Sequence, residues 1–340
     1  MKVQDLTRYS EKLLEAYGVP KNEASVIVDS LIKAELRGIS SHGFLRLPTY
    51  IKRTQAGIMR AASELAVVQD NGAAVVLDAN FSFGQVAAQR GMQLAIEKAK
   101  QYTIGTCLVK NSGHFGTAAD YGEMAAAEKM VGIALSNTTP LMPPTGGAEK
   151  KLGNNPLAIV APTKGDPIIA DMALSAVAMG KLLVAKAKGE KIPLDWGTDK
   201  NGSPSDDPQA VLDGGLLLPM AGPKGYSLAV AIEILTGILA GTFAWQIPSL
   251  YNLNQPQSIG HLFVAINISG FIDYELYLEN MEVLKTGLKD CRKAPGVAEI
   301  YLPGEIEQNK AKAATEIKLQ ASAVTEINEL ALKVGMGALE

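Results

Sequence analysis

Six consecutive positions, Ser41 to Arg46, hold a hydroxyl, an imidazole and a guanidinium. The chain has 340 residues and three histidines, His42, His114 and His261. Two of them lie in glycine-flanked polar stretches, Ser41-His42-Gly43 and Asn111-Ser112-Gly113-His114-Phe115-Gly116. Imidazole is the side chain best suited to moving protons near neutral pH. Guanidinium is the one best shaped to hold a carboxylate by two parallel hydrogen bonds. Together they point to acid–base chemistry on a small carboxylate-bearing molecule. Each residue also has a plainer reading. His42 suits a surface or capping role, Arg46 a pair with Glu35 or another structural carboxylate, and His114 a polar turn. His261 opens an apolar run and reads as structural.

The elements around these residues follow from periodicity. Leu6, Tyr9, Leu13, Leu14 and Tyr17 repeat at helical spacing, ended by Gly18 and Pro20. A second helix begins near Asn22 with Ala24, Ile27, Val28, Leu31 and Ile32 on one face, and Gly38 suits its C-terminal stop. The Ser41–Arg46 cluster therefore sits just past a helix end. Pro48 opens a short helical stretch towards Gly57. Two β-rich runs within 65–77, joined by Asn71-Gly72, predict a hairpin. Gly84 to Gln101 reads as a helix and Ile104 to Val109 as a strand delivering the His114 loop. A helix over 117–129 and a strand over 131–135 follow. Short strands over 157–161 and 167–171, a helix over 176–188, an apolar helix from Lys224 to Leu239 and a strand over 261–266 complete the middle. The last 70 or so residues read as helical and charged. This pattern predicts an α/β fold, with α+β as the alternative. Residues 1–65 and 285–340 would form a helical lobe, and 66–284 a mixed-sheet domain.

Two further motifs suit a phosphate or ribose. Gly222-Pro223-Lys224-Gly225 opens a helix, where free N–H groups and a lysine attract phosphate. Asp171-Met172-Ala173 stands at a strand-to-helix junction, with Asp171 as an acceptor for ribose hydroxyls; its plainer reading, shared with Ser175, is a cap on the next helix. Gly153-Asn154-Asn155-Pro156 is a rigid turn. No G-x-G-x-x-G follows a strand, and no P-loop, H-E-x-x-H or G-x-S-x-G is present, so a Rossmann site has no support and no metal site is indicated.

The bulk numbers narrow the class. A hydrophobic content of 47% allows a large core, and a net charge of −3 argues against nucleic-acid or anionic-membrane binding. The longest apolar run, Leu228 to Leu239, contains Glu233 and is too short to span a bilayer. Cys107 and Cys291 show no metal or redox spacing and fit a reducing compartment, and the polar N-terminus shows no signal peptide. A cytoplasmic location is the expectation.

As a set, these motifs resemble the type 2 malate/L-lactate dehydrogenase family, which includes ureidoglycolate, sulfolactate and diketogulonate oxidoreductases. The resemblance is carried by Arg37-Gly38-Ile39-Ser40-Ser41-His42-Gly43 with Arg46, Asn111 to Gly116, Gly153 to Pro156, Asp171-Met172-Ala173 with Gly180-Lys181, and Gly222 to Tyr226. It implies an oxidoreductase that moves a hydride between a nicotinamide cofactor and a small 2-hydroxy or 2-keto acid. The cofactor would be NAD, with NADP open, on a non-Rossmann fold. It also implies a homodimer with the active site near the subunit contact. By the same resemblance His114, and after it His42, are the acid/base candidates. Ser41, Arg46 and Tyr50 match substrate-binding positions. Thr138, Asp171, Met172, Ala173, Lys224, Gly225, Pro303, Gly304 and Glu305 match cofactor contacts. Asn154, Leu174 and Met179 depart from common family residues. Two readings from other classes compete: a non-catalytic ligand-binding protein on the same fold, and a lyase or hydrolase using His42 and His114.

Overall fold

The structure is a computed structural model describing residues 1–339. The chain opens with α1 (Val3–Ala16), α2 (Lys21–Leu36) and α3 (Leu47–Gln55), followed by β1 (Ala66–Asn71), β2 (Ala74–Asp78), α4 (Gly84–Tyr102) and β3 (Ile104–Ser112). The middle contains α5 (Ala119–Ala127), β4 (Met130–Ser136), β5 (Leu157–Ala161), β6 (Ile168–Met172), α6 (Met179–Lys188), β7 (Gly197–Thr198), α7 (Pro208–Leu212), β8 (Leu216–Leu217) and α8 (Pro223–Glu233). It ends with β9 (Ile259–Asn267), α9 (Tyr274–Lys289), α10 (Glu305–Ala313) and α11 (Ala321–Lys333).

Seven strands form one mixed sheet in the order β1-β2-β3-β9-β4-β5-β6. Only β2 and β3 pair in parallel; every other neighbouring pair is antiparallel. The hairpin falls where Asn71-Gly72 predicts it, with Asn71 paired to Ala74 and Gly72 at φ 66°. Helix α4 lies across β3 and β9 because glycines remove the intervening Cβ atoms. A Cβ on Gly91 would stand 2.8 Å from both Phe263 and Val109, and one on Gly105 would stand 2.0 Å from the Ala95 carbonyl oxygen. The apolar faces of α1, α2 and α3 meet α11 in a separate cluster that includes Leu6, Leu31, Tyr50, Ile327 and Leu330.

Three segments differ from the periodic reading. Helix α6 begins at Met179 rather than Ala176, because the preceding segment runs extended, with Ser175 bridged to Pro219 and Ala178 at ψ 141°. The apolar helix from Lys224 is α-helical only to Glu233, then turns π-helical over Ile234–Ile238. There β9 comes so close that a Cβ on Gly260 would lie 1.7 Å from the Thr236 carbonyl oxygen, and the widened turn accommodates that approach. The β7–β8 ribbon and α7 were too short to leave a periodic signal.

His261, in the central strand β9, is fully buried. Its Nε2 lies 2.9 Å from the Ser112 hydroxyl and its Nδ1 2.9 Å from the Ser136 hydroxyl. Those serines are the last residues of the flanking strands β3 and β4. Two residues beyond them come His114 and Thr138, so His261 links the strand ends that launch both loops. It also stacks on Phe115, with centroids 4.4 Å apart. Burial pushes its pKa down to about 3.

Two outcomes follow. Gly105→Ala should destabilise the fold by about 3 kcal/mol in urea denaturation, since neither α4 nor β3 can retreat; an unchanged midpoint would show that α4 is free to shift. His261 should make the fold acid-sensitive, because between pH 6.5 and about 3 the unfolded chain takes up a proton that the folded chain refuses. Stability is retained above that window and falls as the pH drops through it. In chemical denaturation, His261→Gln should lose less stability on acidification than the parent, by about 1.4 kcal/mol per pH unit; parallel profiles would contradict it.

Candidate functional site

The His42 turn is built by Glu35. After α2 ends, Gly38 takes φ 74° and a single 3₁₀ turn covers Ser40–His42. Glu35 accepts from the Ser40 hydroxyl at 2.6 Å and from the Phe44 N–H at 2.9 Å. A Cβ on Gly43 would lie 2.2 Å from the Glu35 carboxylate, so glycine is needed there. Glu35 therefore fixes the turn and does not pair with Arg46. The His114 loop is held from both sides. Asp78 accepts from the Asn111 amide at 3.0 and 3.1 Å, and a Cβ on Gly84 would lie 2.4 Å from the His114 carbonyl oxygen.

These two loops bring His42 and His114 together, with ring centroids 5.4 Å apart and planes 29° from parallel. The third contributor is α3. Its N-cap residue Arg46, then Tyr50 and Arg53, follow at spacings of four and three, which places them on one helix face. Arg46 donates through Nε to the Ser41 carbonyl at 2.7 Å and through Nη1 to the Tyr251 hydroxyl at 2.7 Å. The Tyr50 hydroxyl lies 2.7 Å from His114 Nδ1 and accepts from the Gln85 amide at 3.0 Å. Arg53 donates to backbone carbonyls of the 250–255 loop.

The electrostatics are one-sided. Arg46 has no carboxylate partner among the described residues. Both histidines are half-buried. Burial, reinforced by the Arg46 charge, pushes His42 down to about 4. Burial, Arg46, and the neighbouring His42 and His261 push His114 well below the usual histidine range. Both rings are neutral near pH 7. The Gly116 N–H, which can only donate, makes a long 3.4 Å contact to His114 Nδ1. This assigns Nδ1 as an acceptor, so the His114 proton sits on Nε2. His42 Nδ1 meets only the Ser41 hydroxyl at 3.0 Å, which can donate or accept, so its tautomer stays free. No cluster of three or more potential metal ligands exists among the described residues.

The residues expected to contact cofactor form a second group. Thr138 and Asn154 are joined side chain to side chain at 2.8 Å, and the Leu174 N–H donates to the Asn154 carbonyl at 2.7 Å. Leu174 is fully buried, so its departure from the common family residue is a packing choice. Buried Glu233 accepts from Asn137, Asn155 and the Ala244 N–H, tying the turns beside Thr138 to the end of α8. Asp171 is exposed, yet one carboxylate oxygen accepts from the Ala119 N–H at 3.0 Å. It thus caps α5, not α6 as the plainer reading had it, and Ser175 bonds to the Val177 carbonyl instead. Met172 and Ala173 continue from Asp171 along the end of β6. The Ile169 N–H donates to the Pro303 carbonyl, which lays Pro303, Gly304 and Glu305 beside β6. Gly225 packs against the Met220 carbonyl, and Met220 N–H bonds to Leu174. Two links join the groups: Asp171 to Ala119, five residues past His114, and the Thr139 hydroxyl to Pro248, at the start of the loop that carries Tyr251.

Gln85, Arg53, Glu233 and Tyr251 were not singled out from sequence. Only Arg53 left a readable signal, its spacing of seven from Arg46. The others meet the site through tertiary contacts.

Comparison with known proteins identifies the family. The family profile described as malate/L-lactate dehydrogenase matches residues 1–328. A malate dehydrogenase of Pyrococcus abyssi is 38% identical, covering 99% of this chain and 95% of its own. A ureidoglycolate dehydrogenase (NAD(+)) of Escherichia coli K12 is 37% identical over 88% of this chain and 86% of its own. The solved structure of sulfolactate dehydrogenase from Methanocaldococcus jannaschii superposes with a TM-score of 0.95 at 34% identity, covering 99% of this chain and 98% of that one. With a profile match over nearly its whole length, relatives above 30% identity and a shared fold, this chain belongs to the malate/L-lactate dehydrogenase family.

Proposed function

We propose that this protein catalyses reversible hydride transfer between a nicotinamide cofactor and a small 2-hydroxy or 2-keto acid. The observation that carries this reading is the stacked pair of neutral imidazoles beside an arginine with no acidic partner among the described residues. It draws support from relatives whose names specify malate, sulfolactate and ureidoglycolate as substrates. The residues present fit a dinucleotide. Helix α8 starts without a side-chain cap, with Gly222 at φ 60°, open space around it and Lys224 exposed. Its first-turn N–H groups and Lys224 would hold the pyrophosphate. The second oxygen of Asp171 would accept from ribose hydroxyls, and Thr138, Met172, Ala173, Gly225 and Pro303 to Glu305 would line the remainder. The nicotinamide, when bound, supplies or accepts the hydride. A single parallel strand pair supports a cofactor fold other than Rossmann. NAD is the preferred form, with NADP also used among relatives.

Arg46 has Nε and one Nη1 hydrogen engaged, so the remaining edge of its guanidinium holds the substrate carboxylate. His114 donates its Nε2 hydrogen to the C2 oxygen and polarises it as a neutral electrophile. His42, free to exchange tautomers, passes the proton to or from that oxygen. A bound carboxylate offsets the Arg46 charge and raises the His42 pKa towards the working range. This reverses the first sequence-based assignment, which put the proton on His114. Tyr50 is 1% exposed and acts behind His114, holding its tautomer instead of lining the substrate.

The molecular organisation proposed with this is a helical lobe of residues 1–65 and 285–340 on a sheet domain of 66–284, dimerised beside the cleft, in the cytoplasm. Exposed Leu235, Ile238 and Leu239, close in sequence to the stacked Phe243 and Trp245, are the apolar residues proposed for the subunit contact. Among the described residues no helix is long and apolar enough to cross a membrane.

A panel of 2-keto acids assayed separately with NADH and NADPH should show loss of nicotinamide absorbance; no turnover with any acid would overturn the assignment. His42→Ala should lose about 10²–10⁴ in turnover. His114→Gln, which keeps a donor, should retain more activity than His114→Ala. Equal losses in the two His114 variants would return the proton to His114. Light scattering should give twice the chain mass, and Leu239→Asp should give the monomer; a wild-type monomer would refute the dimer.

A further inference from the structure

Arg46 is not alone at its end of the cleft. Tyr251 is 66% exposed, its hydroxyl accepts from Arg46 Nη1, and the guanidinium carbon stands 5.8 Å from its ring centroid. The hydroxyl's own hydrogen has no acceptor among the described residues.

Exposure normally implies freedom, but the Tyr251 backbone is pinned on both sides. Arg53 Nη1 donates to the carbonyls of its two neighbours, Leu250 at 3.1 Å and Asn252 at 2.6 Å, and Nη2 to Gln255 at 3.3 Å. Arg53 is 2% exposed and pairs with no carboxylate among the described residues, so all its charge is directed at this loop. The Pro248 carbonyl is held as well, by Thr139 at 2.9 Å and Gln257 at 3.2 Å. Fixing a loop this way removes the ordering cost that a flexible contact residue would impose on binding.

We propose that Tyr251 is a specificity-determining residue. It presents its hydroxyl hydrogen to a second acceptor on a substrate whose carboxylate Arg46 holds. Two acceptors on the hydrogens of one guanidinium nitrogen lie roughly 5 Å apart. The Tyr251 oxygen takes one of these places and the substrate carboxylate the other. A group reaching the Tyr251 hydrogen therefore sits at the far end of the substrate, a few bonds from C1. The cleft is thereby matched to 2-hydroxy acids with a second carboxylate, sulfonate or carbonyl oxygen, over those ending in a methyl group. This inference rests on the reading of Arg46 as the carboxylate anchor.

The test is Tyr251→Phe, which keeps the ring and the pinned backbone. The ratio of kcat/KM for 2-oxobutanedioate to that for 2-oxopropanoate should fall about tenfold, carried by KM, since a hydrogen bond to a charged group is lost. Calorimetric titration with malonate, without cofactor, should show a similarly weakened Kd. An unchanged ratio, or equal losses for both acids, would overturn the proposal and reduce Tyr251 to a support for Arg46. Arg46→Ala separates the two layers. If it weakens both acids strongly while Tyr251→Phe changes no ratio, the anchor stands and the specificity role falls. If Arg46→Ala leaves both KM values untouched, the anchor itself fails and this inference goes with it.

Discussion

One face of a nine-residue helix holds the candidate site together. Arg46, Tyr50 and Arg53 leave α3 at spacings of four and three, and each engages a different segment. Arg46 meets the His42 turn and Tyr251, Tyr50 meets the His114 loop, and Arg53 meets the loop from Leu250 to Gln255. A rotation of α3 by one residue would swing all three groups away by about 100°. The rotation is blocked because Leu47 and Ile51, about 100° further round the helix, are fully buried in the helical core. Ordinary apolar packing thus fixes the angular position of the three polar groups that α3 contributes.

The site carries an electrostatic cost that its surroundings offset. Two imidazoles share a cleft with a guanidinium that pairs with no carboxylate among the described residues, and a second guanidinium lies buried nearby. Neutral rings reduce the repulsion, and backbone carbonyls satisfy Arg53 where a carboxylate would have cancelled the positive field. A site left positive in this way attracts an anion, and pairing with that anion relieves the strain of charge accumulation. In the proposed reaction, substrate recognition and histidine protonation would therefore be coupled: the group that binds would also retune the proton carrier.

Much of this architecture is legible in the chain itself. The alternation in β3 and β9, the Asn-Gly hairpin and the glycine-flanked histidines all report local rules that tertiary contacts did not override. The meeting of His42 and His114 is different. Nothing local states that residues 72 positions apart share a cleft; resemblance to a family supplied that expectation. The role of Tyr50 was hidden because a buried hydroxyl and a pocket-lining hydroxyl look alike in sequence, and only its 1% exposure separates them. Tyr251 was hidden for the opposite reason, since a tyrosine in a polar loop carries no sign of being pinned from below. The π-helical turn after Glu233 arises from a close approach of β9, a constraint that apolar periodicity cannot encode.

Helix α3 rests on α11, where Lys52 reaches Glu326 at 2.5 Å, and α1 is bridged at Lys2 to Glu316. Those partners are separated by more than 270 residues. At ribosomal speeds of about 5–20 residues per second, the helix bearing Arg46 waits on the order of tens of seconds for the element that covers it. The nascent polypeptide thus has its sheet before it has a finished anchor for anions, and competence arrives only as translation draws to its close.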